Sequence, residues 1–180
     1  MDDNKRRNIK IFVSMTLIGA VLDLATKAWA EGALTQLPGQ SMMIFEPWCE
    51  FALSYNQGTA FSAIFDLGEM VRLILGIASL LVVGLLGWSV TRPEVVQIEV
   101  WCYGMLAGGA IGNGYDRVFR EAPSGGTGVV DFVKLNYPWG GSWPTFNVAD
   151  SLLVVGVALL IIRWWTHPPT DDANVRAERS

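Results

Sequence analysis

The sequence predicts an α-helical membrane protein: a bundle of four transmembrane helices with a small extracytoplasmic β-sheet and a short surface helix. Four apolar runs predict the helices, at about 9–30, 70–90, 98–118 and 147–165, because roughly 20 helical residues cross a hydrocarbon core about 30 Å thick. All eight prolines fall outside these runs. The chain of 180 residues is therefore expected to form a single membrane domain, 1–180.

The placement of Lys and Arg predicts how the bundle is oriented. Four basic residues lie within the first ten positions, whereas 28–71 contains neither Lys nor Arg. Cytoplasmic loops are enriched in basic residues, so both termini are predicted inside and the loops 31–69 and 119–146 outside. The polar segment 166–180 is expected to be a flexible cytoplasmic tail. Three basic residues run against this rule on the outer side: Arg117, Arg120 and Lys134. A functional role is considered for the first only.

The first apolar run has a second interpretation. MDDNKRRNIK precedes an apolar stretch, and Ala28-Trp29-Ala30 resembles the cleavage site of a signal peptide. If it were cleaved there, Asp23 and Lys27 would be only a polar tail before the cut. A retained helix is favoured, but the pattern by itself leaves both possibilities open.

The outer loops contain predicted secondary structure of their own. SMMIFEPWCEFALSYN alternates β-branched and aromatic residues and predicts one or two short strands, followed by a turn at 56–59. AFSAIFDLGEM predicts either a surface helix or an extended loop packed on the bundle. VVDFV, after the third run, predicts another strand. Cys49 and Cys102 are predicted at opposite ends of the bundle, so they are expected to be unpaired thiols.

Polar residues from distant parts of the chain are predicted at one level, the outer leaflet. Asp23 lies about seven residues inside the outer end of the first run, roughly 10 Å deep. The others at this level are Asn113, Asp116, Arg117, Asp131, Asn147 and Asp150. Ionisable groups within spans are candidates for a functional site.

Each of these patterns also has a purely structural interpretation. Asp116–Arg117 could be an ion pair at a helix end, and Asn147 could cap the fourth helix. Asp23–Lys27 could be an i, i+4 pair in which Lys27 extends to the headgroups. Glycines four residues apart, Gly104, Gly108 and Gly112, predict close helix packing. On residues alone, a protease, a proton-relaying transporter and a non-catalytic scaffold all stay open.

Five blocks of sequence together resemble the lipoprotein signal peptidases, or signal peptidase II, a family of bacterial membrane aspartyl proteases. They are DLATK at 23–27, NQGTAFS at 56–62, GGAIGNGYDR at 108–117, VVDF at 129–132 and FNVADS at 146–151. They occur in order, each where the predicted topology requires it, over about three quarters of the chain. The first block argues against cleavage of the first helix. One departure is the 118–128 loop, which is longer than usual and leaves the pairing of the outer strands uncertain.

The resemblance implies an aspartyl endopeptidase in the bacterial cytoplasmic (inner) membrane, with its active site facing the periplasmic or outer side. It implies Asp131 and Asp150 as the catalytic dyad, removing signal peptides from diacylglyceryl-modified prolipoproteins just before the lipidated cysteine. Substrate-binding or supporting roles follow for Asp23, Lys27, Asn56, Gly58, Gly108, Asn113, Asp116, Arg117 and Asn147. No metal and no organic cofactor are expected. The expected partners are a lipidated prolipoprotein and membrane lipids, not nucleic acid, and a monomer is expected.

Overall fold

The computed structural model describes residues 3–58 and 68–167, which form four long helices and one three-stranded sheet. The helices are α1 (Asp3–Leu34), α2 (Gly68–Ser89), α3 (Gln97–Phe119) and α4 (Val148–Thr166). The strands are β1 (Ser41–Phe45), β2 (Cys49–Asn56) and β3 (Val129–Leu135), with a short 3-10 turn at Pro38–Gln40. The predicted bundle with a small sheet is thereby confirmed. The predicted surface helix falls almost wholly on 59–67, and the predicted tail on 168–180, which lie outside the described residues.

Three of the helices are long and apolar enough to cross a membrane: Asp3–Leu34, Glu69–Ser89 and Val148–Thr166. α3 has 23 residues, enough to span about 35 Å, but its composition is less apolar because it contains five glycines and several polar residues. α3 also packs against each of the three other helices. A helix in that central position contacts protein rather than lipid on most of its surface, so it tolerates small and polar residues.

The glycine stripe of α3 packs closely against another helix, as its spacing predicts, and that helix is α1. A Cβ added at Gly108 would lie 3.0 Å from the carbonyl oxygen of Thr16 and 3.1 Å from the Cα of Gly19. The two backbones therefore approach too closely for a side chain at this position. Along the contact, Gly104 faces Met15, Gly108 faces Gly19, and Gly112 faces Asp23. α1 and α3 consequently run in the same direction, and Gly108 serves helix packing.

α4 packs on another side of α3 in the opposite direction. Gly109 lies against Ala149 near the start of α4, and Gly156, about two turns further on, lies against Leu106. The first turn of α4 and the last turns of α1 and α3 thus meet at one end of the bundle.

The sheet has the order β1-β2-β3 with antiparallel neighbours and covers this same end. Val130 and Phe132 on β3 pack with Ala30 and Leu34, the last residues of α1 to be buried. Phe146 continues the ladder beyond β3, since its backbone N–H and C=O both bond to Val133. This pairing places residue 147, where α4 begins, directly beside β3.

Candidate active site

Asp131 lies on β3 with its side chain on the opposite face from the apolar contacts of the strand. Successive residues of a strand point to opposite faces, and Val130 and Phe132 both belong to the apolar cluster under the sheet. Asp131 is nevertheless only 3% exposed. Its carboxyl therefore points into the closed space between the sheet and the helix ends.

The surroundings of Asp131 make its negative charge unfavourable. Burial, together with the charge of Asp150, raises the pKa of Asp131 from 3.8 to about 7. Hydrogen bonds from Asn56 and Asn147 and the positive charge of Lys27 lower the pKa and offset part of this rise. Desolvation and a neighbouring like charge are the two effects that raise the pKa of a carboxyl group. At neutral pH, Asp131 is present in both its protonated and its ionised form.

Asp150 is the third residue of α4 and takes part in capping it. The side chain of Asn147 accepts a hydrogen bond from the Asp150 N–H (2.9 Å), and Asp150 Oδ2 accepts one from the Asn147 N–H (3.2 Å). This reciprocal capping box satisfies two of the N–H groups that a helix start leaves free. The predicted cap at Asn147 is confirmed. The second oxygen, Asp150 Oδ1, accepts a hydrogen bond from Asn113 Nδ2 at 2.8 Å.

The Asn147 side chain connects the two aspartates. Its Nδ2 donates to Asp131 Oδ1 at 2.7 Å, while its Oδ1 accepts from the Asp150 N–H. The same Nδ2 lies 3.1 Å from Asn113 Oδ1 and 3.2 Å from the carbonyl oxygen of Val130. Asn147 is fully buried. Asn147 thus contacts the carboxyl group of Asp131 through its side chain and the carboxyl group of Asp150 through its backbone N–H.

Lys27 lies beneath this amide network and is fully buried. Its Nζ is 2.7 Å from Asp23 Oδ2, 2.9 Å from Asp116 Oδ2 and 2.8 Å from Asn113 Oδ1. The predicted i, i+4 pair with Asp23 is confirmed, but the extension of Lys27 to the headgroups is wrong. Three acceptors inside the bundle match the three N–H donors of the ammonium group. These contacts replace the hydrogen bonds to water that Lys27 loses on burial.

Asp23 and Asp116 also bind the backbone of the elements that carry the two aspartates. Asp23 Oδ1 accepts a hydrogen bond from the Ala149 N–H in the first turn of α4, at 2.8 Å. Asp116 Oδ2 accepts one from the Val130 N–H of β3, at 3.3 Å. α1 therefore holds the start of α4, and α3 holds β3.

The predicted pairing of Asp116 with Arg117 is wrong. Asp116 Oδ1 pairs with Arg120 Nε at 2.7 Å, and Arg120 also pairs with Glu31, whose Oε1 accepts a hydrogen bond from the Tyr55 hydroxyl at 2.8 Å. Among the residues that the structure describes, no salt bridge involves Arg117, which is half-buried. The reason is geometric: adjacent helical residues point about 100° apart, whereas residues four apart share a face.

Arg120, Glu31 and Tyr55 were not predicted as part of this region. The i, i+4 spacing from Asp116 to Arg120 was the one available signal. Lys134, the other basic residue without a predicted role on the outer side, pairs with Glu50 across strands at 2.5 Å. Both cations therefore have acidic partners.

Asn56 lies at the end of β2, next to the aspartate of β3. Its Oδ1 accepts a hydrogen bond from the Gly58 N–H at 3.1 Å, and its side chain also bonds to Asp131. Gly58 has a φ of +68°, a conformation that a glycine adopts without strain. The turn predicted at 56–59 begins here.

The predicted site residues separate into two groups. One connected polar cluster contains Asp23, Lys27, Asn56, Asn113, Asp116, Asp131, Asn147 and Asp150. The other group lies outside this cluster: Gly58 donates a hydrogen bond to Asn56, and Gly108 contributes to helix packing. Arg117 contacts this region through its backbone carbonyl oxygen, which accepts a hydrogen bond from the Thr127 hydroxyl at 2.6 Å. Within 3–58 and 68–167, no three His, Cys, Asp or Glu side chains are grouped as metal ligands would be.

An apolar groove of about 380 Å³ opens beside Asp150. One wall is α4, through Ser151, Val154 and Val155, and the other is formed by residues that follow or flank β3: Leu135, Trp143 and Phe146. The groove therefore leads from the polar cluster along the membrane-facing side of α4.

The chain is similar to a known family over most of its length. The family model described as signal peptidase (SPase) II matches residues 15–166. The lipoprotein signal peptidase of Aquifex aeolicus is 31% identical over 171 residues, covering 94% of each chain, and that of Hydrogenovibrio crunogenus is 35% identical over 170 residues, covering 92% of each. A solved bacterial membrane enzyme shares the fold with a TM-score of 0.70 at 24% identity, over 88% of this chain and 94% of that one. The chain belongs to the signal peptidase II family.

Proposed function

We propose that this membrane peptidase removes the signal peptide from lipidated prolipoprotein precursors, with Asp131 and Asp150 as its catalytic pair. The observation that carries the proposal is the shared contact with Asn147, which binds Asp131 Oδ1 through its side-chain amide and Asp150 Oδ2 through its backbone N–H. Family membership supports peptidase activity on such precursors. The aspartyl mechanism rests on the geometry of the pair.

The charge of Asp150 opposes ionisation of Asp131, which favours a state in which the two carboxyl groups share one proton. The ionised member removes a proton from a water molecule, which attacks the carbonyl carbon of the scissile peptide. The protonated member donates a hydrogen bond to the developing oxyanion and then transfers its proton to the leaving amine, while the other member keeps the proton taken from water, so the pair again shares one proton. The raised pKa of Asp131 keeps a protonated carboxyl group available near neutral pH. Asn113 and Asn147 orient the pair through direct hydrogen bonds.

The apolar groove beside Asp150 supports a lipidated substrate. Its lining is almost entirely hydrocarbon or aromatic, and it runs along Val154 and Val155 on α4. Acyl chains on the substrate cysteine would lie there, in contact with the bilayer, while the adjacent peptide bond stays level with Asp150. Holding the substrate by its tails reduces the positional freedom of the scissile bond before reaction.

We further propose that the protein acts as a monomer in the bacterial inner membrane, with both termini cytoplasmic and the aspartate end facing outward. The excess of basic residues at the N-terminus supports this orientation. The parallel course of α1 and α3, with α4 antiparallel, supports an aspartate end opposite to the N-terminus.

The test uses detergent-solubilised full-length protein with a precursor peptide in lipidated and unlipidated forms, followed by gel shift. We expect cleavage of the lipidated form only, and loss of cleavage in Asp131→Asn and in Asp150→Asn. Glu121→Gln is the matched control, because it removes an exposed carboxylate on the same side of the protein. Cleavage retained by either aspartate variant, or equal cleavage of both peptides, would contradict the proposal.

A further inference from the structure

A second polar cavity lies at the end of the bundle opposite the aspartates. It has a volume of about 330 Å³ and is lined by the first turns of α1 together with the connection from α2 to α3. Asn8, in its lining, precedes Lys27 by nineteen residues on the same helix, a separation of about 28 Å. That is close to the thickness of a hydrocarbon core, so the cavity lies at the headgroup level of the opposite leaflet.

The lining of this cavity is basic. Lys5, Arg7 and Arg92 contribute side chains to it, and none of its lining residues is acidic. In the described part of the chain, none of these three cations forms a salt bridge. Three basic residues around one cavity, without a salt-bridge partner among the described residues, favour an anionic ligand.

Asn8 adds a neutral hydrogen-bonding side chain to the lining of this cavity. The residue is only 8% exposed and lines the cavity. A side-chain amide that lines a cavity has two N–H donors that can bind oxygen atoms of a ligand. The amide N–H groups of Asn8 are therefore donors suited to an oxygen-rich ligand.

Aromatic side chains show that this end of the bundle lies at a membrane–water interface. Trp88 and Trp165 are 57% and 85% exposed, respectively, and tryptophans concentrate at headgroup level. The Arg92 guanidinium lies 4.4 Å from the centre of the Trp88 ring. This stacking restrains the arginine in an orientation that leaves its N–H groups available at the rim of the cavity.

We propose that this cavity binds the phosphate group of an anionic phospholipid headgroup. The two arginines and Lys5 bind the phosphate through charge-assisted hydrogen bonds, and Asn8 donates to a phosphate oxygen. Basic pockets between transmembrane helices bind such headgroups in other membrane proteins. The site is separate from the catalytic pair and does not depend on the proposed function.

The test measures lipid retention by native mass spectrometry of full-length protein released from nanodiscs of phosphatidylcholine containing phosphatidylglycerol. We expect the wild type to retain phosphatidylglycerol selectively and the Arg7→Gln/Arg92→Gln variant to bind it about 30-fold more weakly, two basic contacts being lost. Lys10→Gln is the matched control, because Lys10 is exposed on the same helix but does not line the cavity. Asn8→Leu, which replaces the amide by an apolar group of similar size, should also weaken retention. All variants should keep precursor cleavage in detergent.

Two results would overturn the proposal. Equal weakening by Lys10→Gln and by the double substitution would show only general attraction to a charged surface. The second result concerns thermal stabilisation by inorganic phosphate in phosphatidylcholine nanodiscs. If it equals the stabilisation by phosphatidylglycerol and is lost in the double variant, the cavity binds a soluble phosphate instead of a lipid.

Discussion

Replacing Lys27 by methionine should destabilise the protein more than any other single loss of a lysine. Methionine keeps much of the length of the side chain but removes the ammonium group from between Asp23 and Asp116. Asp116 retains Arg120 as a partner, whereas Asp23 retains only the Ala149 N–H. Removing one partner of a fully buried ion pair costs about 3–5 kcal/mol, because the remaining charge has no compensation. We expect Lys27→Met to lower the free energy of unfolding by an amount within that range.

The measurement is reversible unfolding in mixed micelles of increasing SDS content, with Lys134→Met as the matched control. Lys134 also forms an ion pair, but its side chain is 33% exposed, so its loss should cost about 0–1 kcal/mol. The double variant Lys27→Met/Asp23→Asn should lose less free energy of unfolding than the two single variants added together, by about 1–3 kcal/mol. Equal losses for the two lysine variants, or strict additivity with Asp23→Asn, would refute the assignment of Lys27 as a buried partner of Asp23.

Three further predictions concern packing, topology and the link between the aspartates. Gly112→Ala should destabilise the bundle by about 1–3 kcal/mol in the same SDS titration, because the added methyl meets the Asp23 carboxylate; unchanged stability would show that α1 and α3 are not in contact there. In intact cells made permeable only in their outer membrane, an impermeant maleimide should label Cys49, which is half-buried in the sheet, whereas Cys102 is buried and should stay unlabelled; labelling of Cys49 only after the inner membrane is also opened would contradict the proposed orientation. Asn147→Ala should lower stability by about 0.5–2 kcal/mol through loss of the cap and also lower cleavage per folded molecule; full cleavage would show that the pair needs no shared amide.

The sequence was sufficient to predict the helices and the level at which their polar residues meet. Apolar length and proline placement predict the four helices, and spans of fixed length bring Asp23, Asn113 and Asp150 to one end. The four-residue spacing in α3 correctly predicts which glycines lie against α1. These features follow from the helix repeat and the thickness of the membrane, which a single sequence reveals.

Partner choice within the polar cluster could not be predicted in the same way. Spacing placed Lys27 near Asp23, but whether it extended to the headgroups or turned inward depended on Asp116 and Asn113, which lie on another helix. Arg120 was overlooked because its second partner, Glu31, is 89 residues away. Such choices depend on how helices rotate against one another, which a local pattern does not specify.

The sheet shows a similar division between local and long-range information. Alternation in the sequence predicts strands around 41–56 and at VVDFV, but the register that sets Ser54 opposite Asp131 joins residues far apart in the chain, which alternation within one strand does not specify. Phe146 carried no strand signal, yet its pairing with Val133 is what brings Asn147 beside Asp131.

The pH dependence of kcat/KM for a lipidated precursor tests the central claim most directly, because it reports the shared proton in an active enzyme. A protonated carboxyl group is required, and Asp131 loses its proton as the pH rises through its pKa of about 7, so the rate constant should fall above about pH 7. Asn56→Ala removes a hydrogen bond that lowers this pKa, so the fall should move to higher pH. A value of kcat/KM that stays level through this pH range would contradict a catalytic role for the Asp131 carboxyl. So would a fall in kcat/KM that Asn56→Ala leaves at the same pH or moves to lower pH.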